Sequence, residues 1–346
     1  MSTLQTPGLN SHPSLTRASS LLNFSTLVTG GTSPADIFHS VTGEGVTFFT
    51  DIPSSCLPPP GSPPGVLGPP VILGIDEAGR GSALGPMTYG SCFWPVSMSP
   101  EMEAKGFDDS KALTHKTRRA LLTKMEETAD LGYVIRVLQS SEISRNMLRA
   151  PKPYNLNDMS HDAAMDMIRL VLAHGVNLTE VIIDTVGIPE AYLAKLSRSF
   201  PDSPILFRVE KKADANHRVV AAASIAAKVA RDEISQNWIF PETAYTPTNG
   251  KEWASGYPGD PKCKAWLGEN IQDPVFCYPD VVRFSWKPVK DLCELKGVPV
   301  KFEADDEEDE GEGLQSVADV FGGPRPKRAR MGGTKVTRGM VYADIV

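Results

Sequence analysis

Asp76 and Glu77 stand side by side after the apolar run Val71-Ile72-Leu73-Gly74-Ile75 and just before Gly79-Arg80-Gly81. Two carboxylates, a guanidinium and two glycines in so short a stretch can hold a cation and grip a phosphate. The β-branched run reads as a buried strand. Successive strand residues point to opposite faces, so the two acids are expected at the strand's end, where the chain bends and both can converge on something cationic. Gly79 and Gly81 let backbone N–H groups approach a ligand closely, and Arg80 supplies a fork suited to phosphate. Together they describe a metal-dependent site for a phosphodiester; the bland alternative is a strand-to-turn junction with solvated charges.

Two further acids lie at the edges of regular elements. Asp184 follows Val181-Ile182-Ile183 and precedes Thr185-Val186-Gly187, while Asp214 sits in Lys211-Lys212-Ala213-Asp214-Ala215 ahead of an alanine-rich helix. In α/β sheets, sites collect where strand ends meet loops. Four converging acids repel one another unless a multivalent cation neutralises them. All-oxygen ligation without a His/Cys cluster selects Mg²⁺ or Mn²⁺ over zinc, and two such ions would activate a water and stabilise the leaving oxygen in an in-line attack on phosphorus. Taken alone, Asp214 reads first as the N-cap of the helix after it and Asp184 as a turn former before Gly187. Jointly they are harder to dismiss.

The elements that must position these acids follow from patterning. Met87–Phe93 reads as a strand hairpinned to the first, Tyr133–Leu138, Val181–Asp184 and Ile205–Val209 as further strands. Thr114–Thr128 (Thr114 as N-cap), Asn157–His174 closed by Gly175, Pro189–Arg198, Asn216–Ile234 and a short Lys262–Leu267 read as helices. An antiparallel pair followed by strand–helix alternation implies an α/β fold with a mixed central sheet flanked by helices, plus a small C-terminal helical or irregular subdomain. Expected boundaries are 1–40 disordered, 41–70 a partly extended Pro/Gly-rich connector, 71–235 catalytic, 236–300 a substrate- or partner-binding subdomain and 301–346 an acidic then basic flexible tail.

Composition bounds the class. The chain has 346 residues, 41% hydrophobic and 22% charged, as in ordinary globular proteins. No apolar stretch reaches the roughly 18–20 residues of a membrane span. Five scattered cysteines with no Cys-x-x-Cys pair argue against a disulfide framework or zinc site and favour a reducing compartment. The net charge of −7 is local in origin, because residues 303–312 carry eight acids and no base. Overall acidity therefore does not exclude a nucleic-acid substrate, and any basic groove must be local.

At Asp76-Glu77-Ala78-Gly79-Arg80-Gly81 the sequence resembles the type 2 ribonuclease H family, in particular its eukaryotic catalytic subunits. The resemblance continues through Leu84-Gly85-Pro86-Met87, Asp109-Ser110-Lys111, Tyr154-Asn155-Leu156-Asn157, Ile183-Asp184-Thr185-Val186-Gly187 and Lys212-Ala213-Asp214. It runs on through Ala223–Asp232, Ser255-Gly256-Tyr257-Pro258 and Arg283-Phe284-Ser285-Trp286, covering about residues 70–290 in the family's order. It implies an RNase H-like fold, cleavage of RNA in RNA–DNA hybrids, and incision at single ribonucleotides embedded in duplex DNA. It also implies two accessory subunits. By position, Asp76, Glu77, Asp184 and Asp214 would be the catalytic metal ligands for two Mg²⁺ or Mn²⁺ ions. Gly79-Arg80-Gly81 would contact the ribose 2′-OH and neighbouring phosphates, and Tyr257 would pack on the sugar beyond the scissile junction. The sequence departs from the family at Ala215-Asn216-His217-Arg218, where a small residue, Tyr and Pro are usual, and at Pro288, where a hydroxyl residue is common.

Other residues carry less. Without the family, Tyr257 in a Gly/Pro-rich loop would be read as an anchor rather than a reader. Lys111 grips phosphate or is solvated, and the resemblance tips it towards phosphate; Asn155 is a weaker nucleic-acid contact. His217 is expected to be exposed and without a role, and Lys228, Arg231 and Asp232 to brace the site through ion pairs. Pro324–Arg330 resembles a nuclear-localisation patch, so a nuclear location is expected. The competing functions are another RNase H-like nuclease with a different substrate, against which Gly-Arg-Gly and Ser-Gly-Tyr-Pro speak, and a non-catalytic hybrid-binding scaffold. A pure binder gains nothing from concentrating negative charge where phosphate must approach.

Overall fold

The computed structural model describes residues 27–29, 45–107, 113–242, 245–248, 251–273 and 275–298. Among the described residues, seven strands form one sheet: β1 (Leu27–Thr29), β2 (Thr47–Phe49), β3 (Val71–Ala78), β4 (Met87–Pro95), β5 (Gly132–Leu138), β6 (Leu178–Asp184) and β7 (Leu206–Glu210), in spatial order β1-β2-β5-β4-β3-β6-β7. The β2–β5, β5–β4 and β4–β3 pairs are antiparallel, and β3–β6, β6–β7 and β1–β2 are parallel. This is the mixed sheet that the strand–helix alternation predicts. One correction lies at its edge: residues 1–40, expected to be wholly disordered, contribute β1, paired in register with β2. The acidic and basic segments after Pro299 lie outside the described residues.

The helices are α1 (Ser99–Ala104), α2 (His115–Glu126), α3 (Ser140–Leu148), α4 (Leu156–Ala173), α5 (Pro189–Ser199), α6 (Ala213–Asn216), α7 (Arg218–Gln236), α8 (Pro261–Glu269) and α9 (Lys287–Lys296). Thr114 caps α2 as predicted, its side chain accepting from the Thr117 N–H at 3.2 Å. The two faces of β3 sort the core. Leu73 and Ile75 pack with α4 and α5, whereas Ile72 packs on the side of α2 and α7. Helix α7 sits hard against the sheet because Gly74 and Gly90 leave no side chain there: a Cβ at Gly74 would overlap the Val219 backbone, and one at Gly90 the Ala223 carbonyl. Thr88 Oγ1 secures the contact by donating to the Ala227 carbonyl at 2.7 Å.

Residues 236–298 share that core. Trp253, Trp266, Val282, Phe284 and Val289 are buried in the same cluster as the α7 alanines. Backbone bonds join this segment to the loop between β3 and β4, from Ala83 N–H to the Gly256 carbonyl (2.8 Å), from Gly85 N–H to Val281 (2.8 Å) and from Arg283 N–H to Ala83 (2.8 Å).

Candidate active site

Strand β3 continues through Ala78, so Asp76 and Glu77 are ladder residues opposite Gly90 and Tyr89 on β4. This corrects the expectation of a bend at the acids. They converge for another reason. The parallel ladder to β6 ends at Ile75↔Ile183, which makes Asp76 and Asp184 the next residues on two neighbouring strands whose carboxyl ends open together. Pleat alternation turns Asp76 towards Ser224 and Lys228 on α7 and Glu77 towards Arg80 and Tyr89.

Asp76, Glu77 and Asp184 line one cavity of about 440 Å³ with Gly79, Arg80 and Tyr257. Ala78, Arg118, Lys228, Arg231 and Asp232 complete its wall. Burial, with a smaller contribution from the Asp184 charge, pushes the Asp76 carboxyl from the usual 3.8 up to about 7, while Ser224 and Lys228 act the other way. Burial, then the charges of Asp76 and Asp184, lift Glu77 from 4.5 to about 8, with Arg80 opposing. Glu77 Oε2 is buried without a hydrogen-bond partner among the described residues.

Asp214 does not line this cavity. It is neither a helix N-cap nor a wall residue but a buried member of the short helix α6, after Lys212 in the left-handed region (φ 59°). A bend at His217 separates α6 from α7, so the helix expected over Asn216–Ile234 is α7, which starts two residues later, at Arg218. Asp214 adjoins the site through its neighbour, since the Ala213 N–H donates to Asp184 Oδ1 at 3.0 Å. His217 is not a bystander: its Nε2 pairs with Glu210 Oε2 at 2.9 Å.

The Gly-Arg-Gly loop is held from two sides. Gly79 takes φ +78°, where a Cβ would also meet the Arg231 side chain at 2.6 Å, so glycine is required. Arg80 Nη1 donates to Ser160 Oγ at 2.6 Å and Nη2 to Asn157 Oδ1. Those two residues are three apart on α4 and so share a face, a spacing that could have singled them out from the sequence. Asn155 does not reach the cavity: it N-caps α4, accepting from the Asp158 N–H at 3.0 Å, and thereby sets the turn that holds Arg80. Tyr257 is 40% exposed, leaving its ring open to a ligand. The Arg231 guanidinium lies 5.4 Å from the ring centroid, and Tyr257 reaches within 3.3 Å of a Cβ placed on Gly81. Lys111 lies outside the described residues.

Lys228, Arg231 and Asp232 do both jobs, bracing and lining. Asp232 accepts from Arg118 at 3.0 Å and Arg231 at 3.3 Å, and Lys228 Nζ donates to Ser224 Oγ at 2.7 Å. Arg118, on α2, went unnoticed in the sequence because only tertiary packing brings α2 against α7.

The donor set fits hard divalent cations. Burial and neighbouring negative charge raise the proton affinity of Asp76 and Glu77, Glu77 keeps an oxygen without a partner among the described residues, and a dication relieves both. Among the described residues, no three His, Cys, Asp or Glu side chains are already gathered as a cage. Such an open arrangement suits a cation held by one or two carboxylates and completed by water and phosphate oxygens.

A mixed α/β sheet of RNase H-like fold with acids at the carboxyl ends of adjacent parallel strands defines a carboxylate-type nuclease. The ribonuclease HII family model matches residues 73–289. The A subunit of Homo sapiens ribonuclease H2 is 44% identical over 252 residues, covering 73% of this chain and 82% of the human one. Its Arabidopsis thaliana counterpart is 44% identical over 248 residues, covering 71% and 81%. Among solved structures, ribonuclease H2 from Pyrococcus horikoshii OT3 superposes with a TM-score of 0.52 at 27% identity, covering 65% of this chain and 98% of its own. The RNase HII of Archaeoglobus fulgidus, solved in complex with PCNA, gives 0.52 at 25% identity over 68% and 99%. The chain belongs to the ribonuclease HII family and is a ribonuclease H, a hydrolase.

Proposed function

We propose that this chain cleaves the RNA strand of RNA–DNA hybrids and also incises at single ribonucleotides embedded in duplex DNA. It would do so with two Mg²⁺ or Mn²⁺ ions and as the catalytic member of an assembly with two accessory subunits. The observation that carries this reading is the meeting, in one cavity, of three carboxylates with a glycine-flanked arginine and an exposed tyrosine ring.

Asp76, Glu77, Asp184 and Asp214 would hold the ions, the first three from the cavity wall and Asp214 from the adjoining helix, whose Ala213 N–H steadies Asp184. Bound divalent ions supply Lewis acidity at phosphorus and a water nucleophile of lowered pKa. The chain's own residues do the rest. Arg80, oriented by Ser160 and Asn157, is preset to meet a phosphate with little ordering cost. Gly79 and Gly81 let the backbone come within reach of a 2′-OH, the group that separates RNA from DNA. Tyr257 offers a flat ring to the neighbouring sugar. The human and plant relatives are named as subunits of ribonuclease H2, which supports a partnered enzyme, and the basic Pro324–Arg330 stretch supports a nuclear location.

Incubation with a duplex carrying one ribonucleotide, with Mg²⁺ and then with EDTA, tests the reading. Cleavage at the ribonucleotide that stops on chelation is the expected result. A chain that cuts only continuous hybrid, alone and co-expressed with its partners, would remove the embedded-ribonucleotide activity from the proposal.

A further inference from the structure

Arg283 and Trp286, in a segment about 200 residues from Gly79-Arg80-Gly81, carry no role in the chemistry above. Arg283 is fully buried, and no carboxylate pairs with it among the described residues. A buried cation without a counter-ion is costly, so its hydrogen bonds must place it. They go to the substrate loop: Nε donates to the Gly85 carbonyl at 3.0 Å and Nη1 to the Arg80 carbonyl at 3.0 Å. Trp286 lies with its ring 4.9 Å from the Arg283 guanidinium, and its Nε1 donates to the Gly81 carbonyl at 3.2 Å. Three carbonyls of one loop are thus tied to two side chains of one distant motif.

A planar trans peptide points its C=O and the following N–H in opposite directions. Drawing the Arg80 carbonyl onto the buried guanidinium therefore turns the Gly81 N–H outward. Gly81 is exposed, lies beside the Tyr257 ring, and has no acceptor for its N–H among the described residues. We propose that Arg283 and Trp286 are positioning residues that hold the Gly-Arg-Gly loop inside out, with carbonyls inward and the Gly81 N–H presented to the ribose being read. The inference rests on the reading that this loop senses ribose.

The test measures binding of the full-length chain by fluorescence anisotropy in EDTA, where no turnover intervenes. The two probes are a DNA duplex with one ribonucleotide and the same duplex of DNA alone. Trp286→Phe keeps an aromatic ring over Arg283 but removes the N–H. Arg283→Lys keeps the charge but cannot fork to two carbonyls. Each is expected to cut the preference for the ribonucleotide duplex roughly three- to tenfold, the worth of about one hydrogen bond. Affinity for the all-DNA duplex should stay within about twofold and the melting temperature nearly unchanged for Trp286→Phe. A parallel loss of affinity for both duplexes, or an undiminished preference, would overturn the positioning role. If the wild-type chain itself shows no preference, the ribose reading fails first and this inference falls with it.

Discussion

Replacing Asp76 or Asp184 by Asn changes one charged oxygen for an amide while keeping shape. Cleavage should fall by roughly two orders of magnitude or more, because a site for dications loses a ligand charge, while duplex binding through the cationic wall survives. Activity within about threefold of wild type would take that residue out of the chemistry. Asp76 and Glu77 dictate a pH effect on the metal-free chain. Their folded proton affinities, about 7 for Asp76 and about 8 for Glu77, lie above the ordinary 3.8 and 4.5. The folded state then binds more protons than the unfolded one, so stability declines as pH rises from about 4 through 8. Melting scans in EDTA should show that decline, Glu77→Gln should flatten it, and Mg²⁺ should raise the melting temperature more at pH 8 than at pH 6. A Mg²⁺ effect independent of pH would contradict the coupling. Tyr257 makes a third residue-level test. Its ring should fit a deoxyribose better than a ribose, so Tyr257→Ala should slow incision at single ribonucleotides more than cleavage of continuous hybrid, by at least a few-fold. Equal slowing on both substrates would reduce Tyr257 to a general contact.

At the scale of elements, the site depends on how closely α7 approaches the sheet. Gly90 faces the Ala223 carbonyl, which is helix backbone and cannot swing aside. Gly90→Ala should cost about 1–3 kcal/mol, read as a fall of roughly 3–10 °C in melting temperature, and should loosen Lys228 beside Asp76. An unchanged melting temperature would mean that the packing is less tight than the geometry states. Much of this layout is legible in the sequence. Alternation and β-branching mark β3 and β4, Thr114 marks the start of α2, and the acids at Asp76, Glu77 and Asp184 announce the cavity. Other parts are hidden for physical reasons. Asp214 looks like a cap because a polar residue before an alanine-rich stretch usually is one; the left-handed Lys212 and the break at His217 place it inside a separate turn. The helix α3 spans only nine residues with apolar side chains at Ile143, Met147 and Leu148, too short a run to stand out before the packing of Ile143 reveals it. Arg118 has a role set by a partner far away in sequence, Asp232, which no local pattern records, whereas the cap at Asn155 is a local signal that the family resemblance drew towards substrate instead.

At the scale of the molecule, the described fold closes with α9, whose Val289 is fully buried in the core. Ending the chain after Val298 should leave the melting temperature within about 2 °C, since no described contact of the core is lost. A larger fall would assign the acidic or basic segments a structural role. The folded unit also gathers its charge unevenly: Arg80, Arg118, Lys228 and Arg231 crowd one cavity, although the whole chain is at −7. Duplex affinity should therefore weaken with added salt despite the acidic total.

The bonds from Arg283 to the Arg80 and Gly85 carbonyls span 203 and 198 residues. A ribosome adding roughly 5–20 residues per second exposes the Asp76 strand some 10–40 seconds before Arg283 emerges. During that interval the acids are present, but the loop that would bring substrate to them has nothing to close on. The site is thus completed late in synthesis, when the segment carrying Arg283 joins the loop made long before it.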